Sequence, residues 1–169
     1  MRVEYRFCPG CGARLVERTV EGRPLPACPA CEFVAWPDPK VAVAVIVEDD
    51  RGRLLAIRRG MAPGLGQWAL PGGYLDADET PAEGARRECL EETNCLVEIE
   101  RLACIHHVLT PDGGLLVLAF GGSFVGGAPS PTEEAPELGW FGRDELPELG
   151  FSSHRVAVRA WRSGVPEVL

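Results

Sequence analysis

GYLDADETPAEGARRECLEETNC, Gly73 to Cys95, decides how the rest of the chain is read. Thr80, Pro81 and Glu83 mark a helix start. Thr80 suits the N-cap, Pro81 the first helical position, and Glu83 closes a capping box. Ala82, Ala85, Cys89 and Thr93 recur at three- and four-residue spacing, a small-residue stripe suited to close packing on a sheet. Asn94 tolerates the left-handed conformation that ends a helix. On such a helix Glu88, Glu91 and Glu92 stand at i, i+3 and i+4, so three carboxylates crowd one face and repel one another. A hard divalent cation, magnesium or manganese, is what oxygen ligands in that cluster suit. A solvated acidic face is the plain alternative.

Just before the stretch, Pro71-Gly72-Gly73 makes a tight turn whose missing side chains let backbone N–H groups approach an anion. Together these residues resemble the box of the Nudix hydrolases, G-x5-E-x7-R-E-U-x-E-E-x-G-U with U a bulky aliphatic. Gly73, Glu79, Arg87, Glu88, Glu91 and Glu92 match it. Cys89 and Cys95 stand where U is expected, and Asn94 replaces the last glycine. Cys packs as a small hydrophobe, and Asn is the next most tolerant residue in that backbone conformation.

The chain has 169 residues, 46% of them hydrophobic, which suits one medium domain with a small appendage. No apolar run approaches membrane-spanning length, and the N-terminal MRVEYRF lacks an apolar secretory core. A net charge of -8 argues against general nucleic-acid binding. An anionic diphosphate is still a ligand if divalent cations stand between it and the protein.

Four of the seven cysteines form two C-x2-C knuckles, Cys8 with Cys11 and Cys28 with Cys31, sixteen residues apart. This spacing fits a tetrahedral four-thiolate zinc site. Disulfides or buried free thiols are the alternative, and a reducing cytoplasm, the compartment expected here, opposes disulfides. So short a segment has little core, and the metal would contribute its folding energy. The expectation is a structural zinc ribbon over residues 1–36 and a catalytic domain over residues 37–169. Arg14, Arg18 and Arg23 give the ribbon only a weak basic surface.

Trp36-Pro37-Asp38-Pro39-Lys40 is a stiff connector. Val41 to Val47 is continuously apolar and β-branched, as a strand buried on both faces should be. Arg53 to Arg58 reads as a returning strand. Arg58 and Arg59 at its end suit either substrate phosphates or an exposed basic strand end. Trp68, before the glycine turn, suits a core anchor or a ligand platform. Leu96–Val108 and Leu115–Val125 read as strands around a turn containing Pro111, and a structural or surface role is expected for His106 and His107. Gly126 to Pro136 reads as a loop with Glu133 and Glu134 at its tip, and Glu137–Phe141 as a short strand. Ser152 or Ser153 would cap a last helix ending near Gly164.

The resemblance implies an α/β/α sandwich around a mixed sheet and hydrolysis of a nucleoside diphosphate joined to another moiety, with magnesium or manganese. It implies metal binding by Glu88, Glu91 and Glu92, orientation of these by Arg87 and Glu79, and a general base that is either Glu88 or a loop carboxylate such as Glu134. Trp36, Trp68 and Phe151 are candidates to stack a base, Arg58 to bind a phosphate, and Gly72 and Gly73 to approach the substrate. A ribbon before such a domain is similar to the NADH pyrophosphatases, whose S-Q-P-W-P-F-P-x-S signature is missing here. It is also similar to a group of ADP-ribose and FAD pyrophosphatases, with which Trp36–Lys40, Phe151–Ser153 and Pro111 accord. The expected reaction is cleavage of an ADP-ribose or FAD type substrate to two monophosphates by a protein that is a possible homodimer. The alternatives are an NADH pyrophosphatase, a nucleoside triphosphate pyrophosphatase, or a ligand-sensing regulator.

Overall fold

The computed structural model describes residues 5–110 and 113–168, so Pro111 and the first four residues of MRVEYRF lie outside the described residues. Two compact units are present: Met1–Pro39 with Thr110–Gly114, and Lys40–Leu109 with Leu115–Leu169.

In the first unit, β1 (Val16–Val20) and β2 (Arg23–Ala27) form an antiparallel hairpin. Its two turn residues, Glu21 and Gly22, have φ of 49° and 78°. Positive φ at both positions matches the right-handed strand twist. The cysteine knuckles are tight turns of their own. Cys8 N–H donates to the Ala13 carbonyl at 2.8 Å, and Cys28 N–H to the Phe33 carbonyl at 2.8 Å. Among the described residues its buried apolar side chains are Cys8, Leu25, Ala27 and Cys28, a very small core.

The large sheet has seven strands, β3 (Lys40–Glu48), β4 (Leu54–Arg58), β5 (Trp68–Ala69), β6 (Cys95–Thr110), β7 (Gly113–Gly127), β8 (Glu137–Phe141) and β9 (Glu167–Val168). Two helices complete it, α1 (Pro81–Thr93) and α2 (Ser152–Ser163). The order is β5-β4-β3-β7-β6-β9, with β8 also on β4. β3 pairs parallel to β7 and antiparallel to β4, so the sheet is mixed. Its centre explains the layering. Val43, Val45 and Val47 point to the core that contains Ala85 and Cys89 of α1. Ala44 and Ile46 point to the core that contains Ala157, Val158 and Ala160 of α2. A strand apolar at every position is thereby buried on both faces, and the α/β/α sandwich follows.

Helix α1 begins and ends where the sequence places it. Both halves of the Thr80–Glu83 capping box are made, and Asn94 closes the helix at φ 57°. Helix α2 ends at Gly164, φ 73°, but its N-cap is Phe151 and no side chain caps it. Ser152 is already helical and Ser153 is buried, so neither hydroxyl serves the helix start. β6 and β7 are longer than the sequence suggests, and β7 takes in Gly126 and Gly127. Among the described residues no helix is long and apolar enough to cross a membrane.

Candidate active site

Arg87 is the hub of the box. Its Nε and Nη2 donate to the two Glu79 oxygens at 3.0 and 2.6 Å, and Nη2 also reaches the Tyr74 carbonyl at 3.1 Å. Its Nη1 donates to Glu88 at 2.8 Å and to Glu91 at 3.1 Å. Lysine has no fork to make these bonds together. The Arg87 hydrogen bonds, helped by the Asp76 N–H, hold the Glu79 carboxyl down at about 2. In return the carboxylates, Glu79 foremost, raise the arginine's own pKa.

Glu88 and Glu92 are perturbed the other way. Burial raises Glu88 despite Arg87, and the charges of Glu91 and Glu134 add to the effect. Glu92 is only 3% exposed, and burial pushes it up to about 7. One Glu92 oxygen accepts the Gly72 N–H at 2.8 Å, and the other lies 4.0 Å from Arg59 Nη1. A buried Glu92 whose nearest cation is 4.0 Å away, beside a half-buried Glu88 that shares Arg87 with two other carboxylates, is a fit for a hard cation.

The glycine turn works by close approach. A Cβ on Gly72 would stand 2.2 Å from the Val43 carbonyl oxygen, and one on Gly73 would stand 2.5 Å from the Glu88 carboxylate. The Gly72 N–H that the sequence suggests for an anionic ligand is instead committed to Glu92.

Glu134 reaches the site through backbone contacts of its loop. Gly60 N–H donates to the Glu134 carbonyl at 2.7 Å. Ser130 N–H holds the Thr93 carbonyl and Thr132 Oγ1 the Glu92 carbonyl, both at 3.1 Å. Its charge acts on both Glu88 and Glu92.

The outer residues divide. Arg58 turns to Glu137 at 3.0 Å and to the Gly66 carbonyl at 2.9 Å, while its neighbour Arg59 faces Glu92. Alternation along an extended chain sends adjacent side chains to opposite faces. Arg59 also stands over the Phe151 ring at 5.5 Å, which places Phe151 beside the box. Trp68 packs edge-on against Phe141 at 5.1 Å and on the α2-side core, as an anchor does. Trp36 belongs to the first unit, with Arg23 over its ring at 5.4 Å. His154 was not singled out in the sequence. Its Nδ1 accepts the Leu70 N–H at 3.0 Å, and desolvation, aided by Arg59, pushes it down to about 3. It therefore stays neutral and pins the backbone ahead of the glycine turn. His106 lies on β6 with its buried Nδ1 unpartnered among the described residues.

In the first unit the sulfurs of Cys8, Cys11, Cys28 and Cys31 all lie within 4.8 Å of one another. Cys8 to Cys31 is 3.5 Å, Cys11 to Cys28 3.4 Å and Cys11 to Cys31 3.9 Å. Thiolates at about 2.3 Å from a tetrahedral zinc are about 3.8 Å apart, so the donor set fits. All seven cysteines are free thiols. Among the described residues the three box glutamates do not converge this tightly; Arg87 Nη1 bridges one oxygen each of Glu88 and Glu91. A larger open cleft of about 550 Å³ among Glu48, Arg101, Arg143 and Trp161 contains no box residue.

A mixed-sheet sandwich carrying an arginine-centred carboxylate box on the helix after a glycine turn defines a class of protein. The NUDIX domain model matches residues 38–161, and the chain belongs to that family. It is 31% identical over 130 residues to an ADP-ribose pyrophosphatase of Methanocaldococcus jannaschii, covering 75% of this chain and 76% of that protein. It is 34% identical over 147 residues to the NAD-capped RNA hydrolase NudC of Chromobacterium violaceum, covering 86% of this chain but only 53% of that longer protein. The crystal structure of a NUDIX hydrolase from Nitrosomonas europaea superposes with a TM-score of 0.85 at 29% identity, over 98% of this chain and 99% of that one.

Proposed function

We propose that the second unit hydrolyses the diphosphate bridge of a nucleoside diphosphate joined to a second organic group, of the ADP-ribose or FAD type, giving two monophosphates. The observation that carries this is the Arg87 array, with Glu79 neutralised and Glu88, Glu91 and Glu92 presented beside it. Glu88, Glu91 and Glu92 would hold magnesium or manganese, which supplies charge neutralisation of the diphosphate and activation of water. Arg87 sets the orientation of Glu88 and Glu91, and the Gly72 N–H sets that of Glu92. The proton of the attacking water would go to Glu88 or to the loop carboxylate Glu134, whose charge bears on Glu88. The water oxygen joins one phosphorus as the bridging P–O bond breaks, and the second phosphate leaves with its organic group. The four cysteines would hold one structural zinc, since four thiolates leave no open coordination position. Thiolates in that role accord with a reducing, cytoplasmic setting.

A second reading is favoured by the likeness to NudC, whose alignment spans 86% of the chain: a dinucleotide of the NAD type as substrate. Catalytic efficiencies for ADP-ribose, FAD, NADH and dGTP, with product identification, separate the readings. Preference for ADP-ribose or FAD supports the first. Preference for NADH supports the second. Preference for dGTP with pyrophosphate as product overturns both and leaves the family assignment standing.

A further inference from the structure

Helix α2 acts on the box through its first turn. The backbone leading into it runs beside β5, where Trp68 and Leu149 form a parallel bridge and Gly150 N–H donates to the Trp68 carbonyl at 2.9 Å. At Phe151 the chain turns into the helix, so the next donor on that edge, the Leu70 N–H, has lost its strand partner. His154 supplies the acceptor instead, with Nδ1 at 3.0 Å. An accepting imidazole nitrogen carries no proton, which places the ring proton on Nε2. Leu70 is fully buried, so without His154 its N–H would have no water to turn to.

From Leu70 the contacts run on to a box carboxylate. The partners of the chain leaving β5 alternate from one edge to the other, as along a strand. β3 holds one edge, with Val45 N–H on the Pro71 carbonyl at 2.8 Å and Val43 N–H on the Gly73 carbonyl at 2.9 Å. On the other edge His154 holds the Leu70 N–H, and Glu92 accepts the Gly72 N–H at 2.8 Å. Phe151 adds a second link from the same helix start. The His154 ring packs edge-on against it at 5.1 Å, and Arg59, which faces the other Glu92 oxygen at 4.0 Å, stands over it at 5.5 Å.

We infer that His154 is a positioning residue for the metal site: by fixing the Leu70 N–H it sets where the Gly72 N–H points, and through it the Glu92 carboxylate. The inference rests on the reading of Glu92 as a metal ligand and adds to it a residue far outside the box that governs affinity. A side chain that orients a ligand without touching the cation is worth about 10–100-fold in metal affinity.

The test is a manganese titration of the full chain without substrate, with the free ion read by electron paramagnetic resonance. His154→Phe keeps a ring against Phe151 but removes the acceptor, and manganese affinity should fall at least about tenfold. His154→Met removes it with a more adaptable side chain and should show the same loss, so the outcome does not hang on one variant folding. His154→Asn puts an amide oxygen where Nδ1 stands and should recover most of the loss. A histidine that serves only the core would lower Tm when replaced and leave the manganese affinity of the folded variants unmoved, and that result overturns the inference. So does an Asn variant as weak as the other two. A natural protein that binds no manganese overturns it together with the metal assignment. Because no substrate is present, the expected pattern of affinities supports the inference even if neither ADP-ribose nor FAD is cleaved.

Discussion

Glu92→Gln should make the metal-free protein more stable while removing most of its turnover. Burial is the dominant perturbation on Glu92, whose pKa of about 7 stands against a reference of 4.5. Between those two pH values the unfolded chain has released this proton and the folded chain still holds it. Folding stability therefore falls as pH rises through that window, by about 3 kcal/mol in all. The groups facing the carboxylate are the Gly72 N–H, Arg59, Glu88 and Glu134. Glutamine keeps an acceptor for the Gly72 N–H but forfeits the attraction of Arg59, so roughly half of the penalty, about 1–2 kcal/mol, should be recovered above pH 7. For a chain of this size that is about 3–6 °C in Tm. Thermal unfolding in chelator at pH 8 should show that gain, and at pH 5, where folded Glu92 already carries its proton, the gain should shrink to about 1 °C. A variant that melts below the natural protein at pH 8, or differs from it equally at both pH values, would refute this account of Glu92.

Arg87→Lys should lower kcat roughly a hundredfold with little change in fold, because one ammonium cannot hold Glu79, Glu88 and Glu91 together. Steady-state kinetics at saturating magnesium, with a circular dichroism spectrum of the variant, checks this, and near-normal kcat would remove Arg87 from its orienting role. Cys28→Ser should abolish about one equivalent of bound zinc and expose the first unit to proteolysis, since its own core is so small. Metal analysis beside limited proteolysis reads both, and a chain that carries no zinc to begin with would contradict the assignment.

Local sequence alone determined a good deal. The entry and exit of α1, the i, i+3, i+4 spacing of its glutamates and the paired knuckles are set within a few residues of one another, by capping hydrogen bonds and helical geometry. The unbroken apolar run of β3 likewise announced a strand covered on both faces, and the two cores with their helices bear that out. Tertiary structure decided everything that depends on distant partners. Arg58 and Arg59 are adjacent and alike in sequence, and only the phase of the strand end, settled by pairing of β4 with β5 and β8, turns Arg59 to Glu92. The Gly72 N–H was available to any acceptor until packing of α1 on β3 brought Glu92 to it from twenty residues away. Serine propensity pointed to a cap on α2, but the helix starts one residue earlier than that, with Phe151 at the N-cap, Ser152 already helical and Ser153 buried. Glu134 joins the site through Gly60, seventy-four residues before it, a meeting that loop composition does not encode because it depends on how the sheet is assembled.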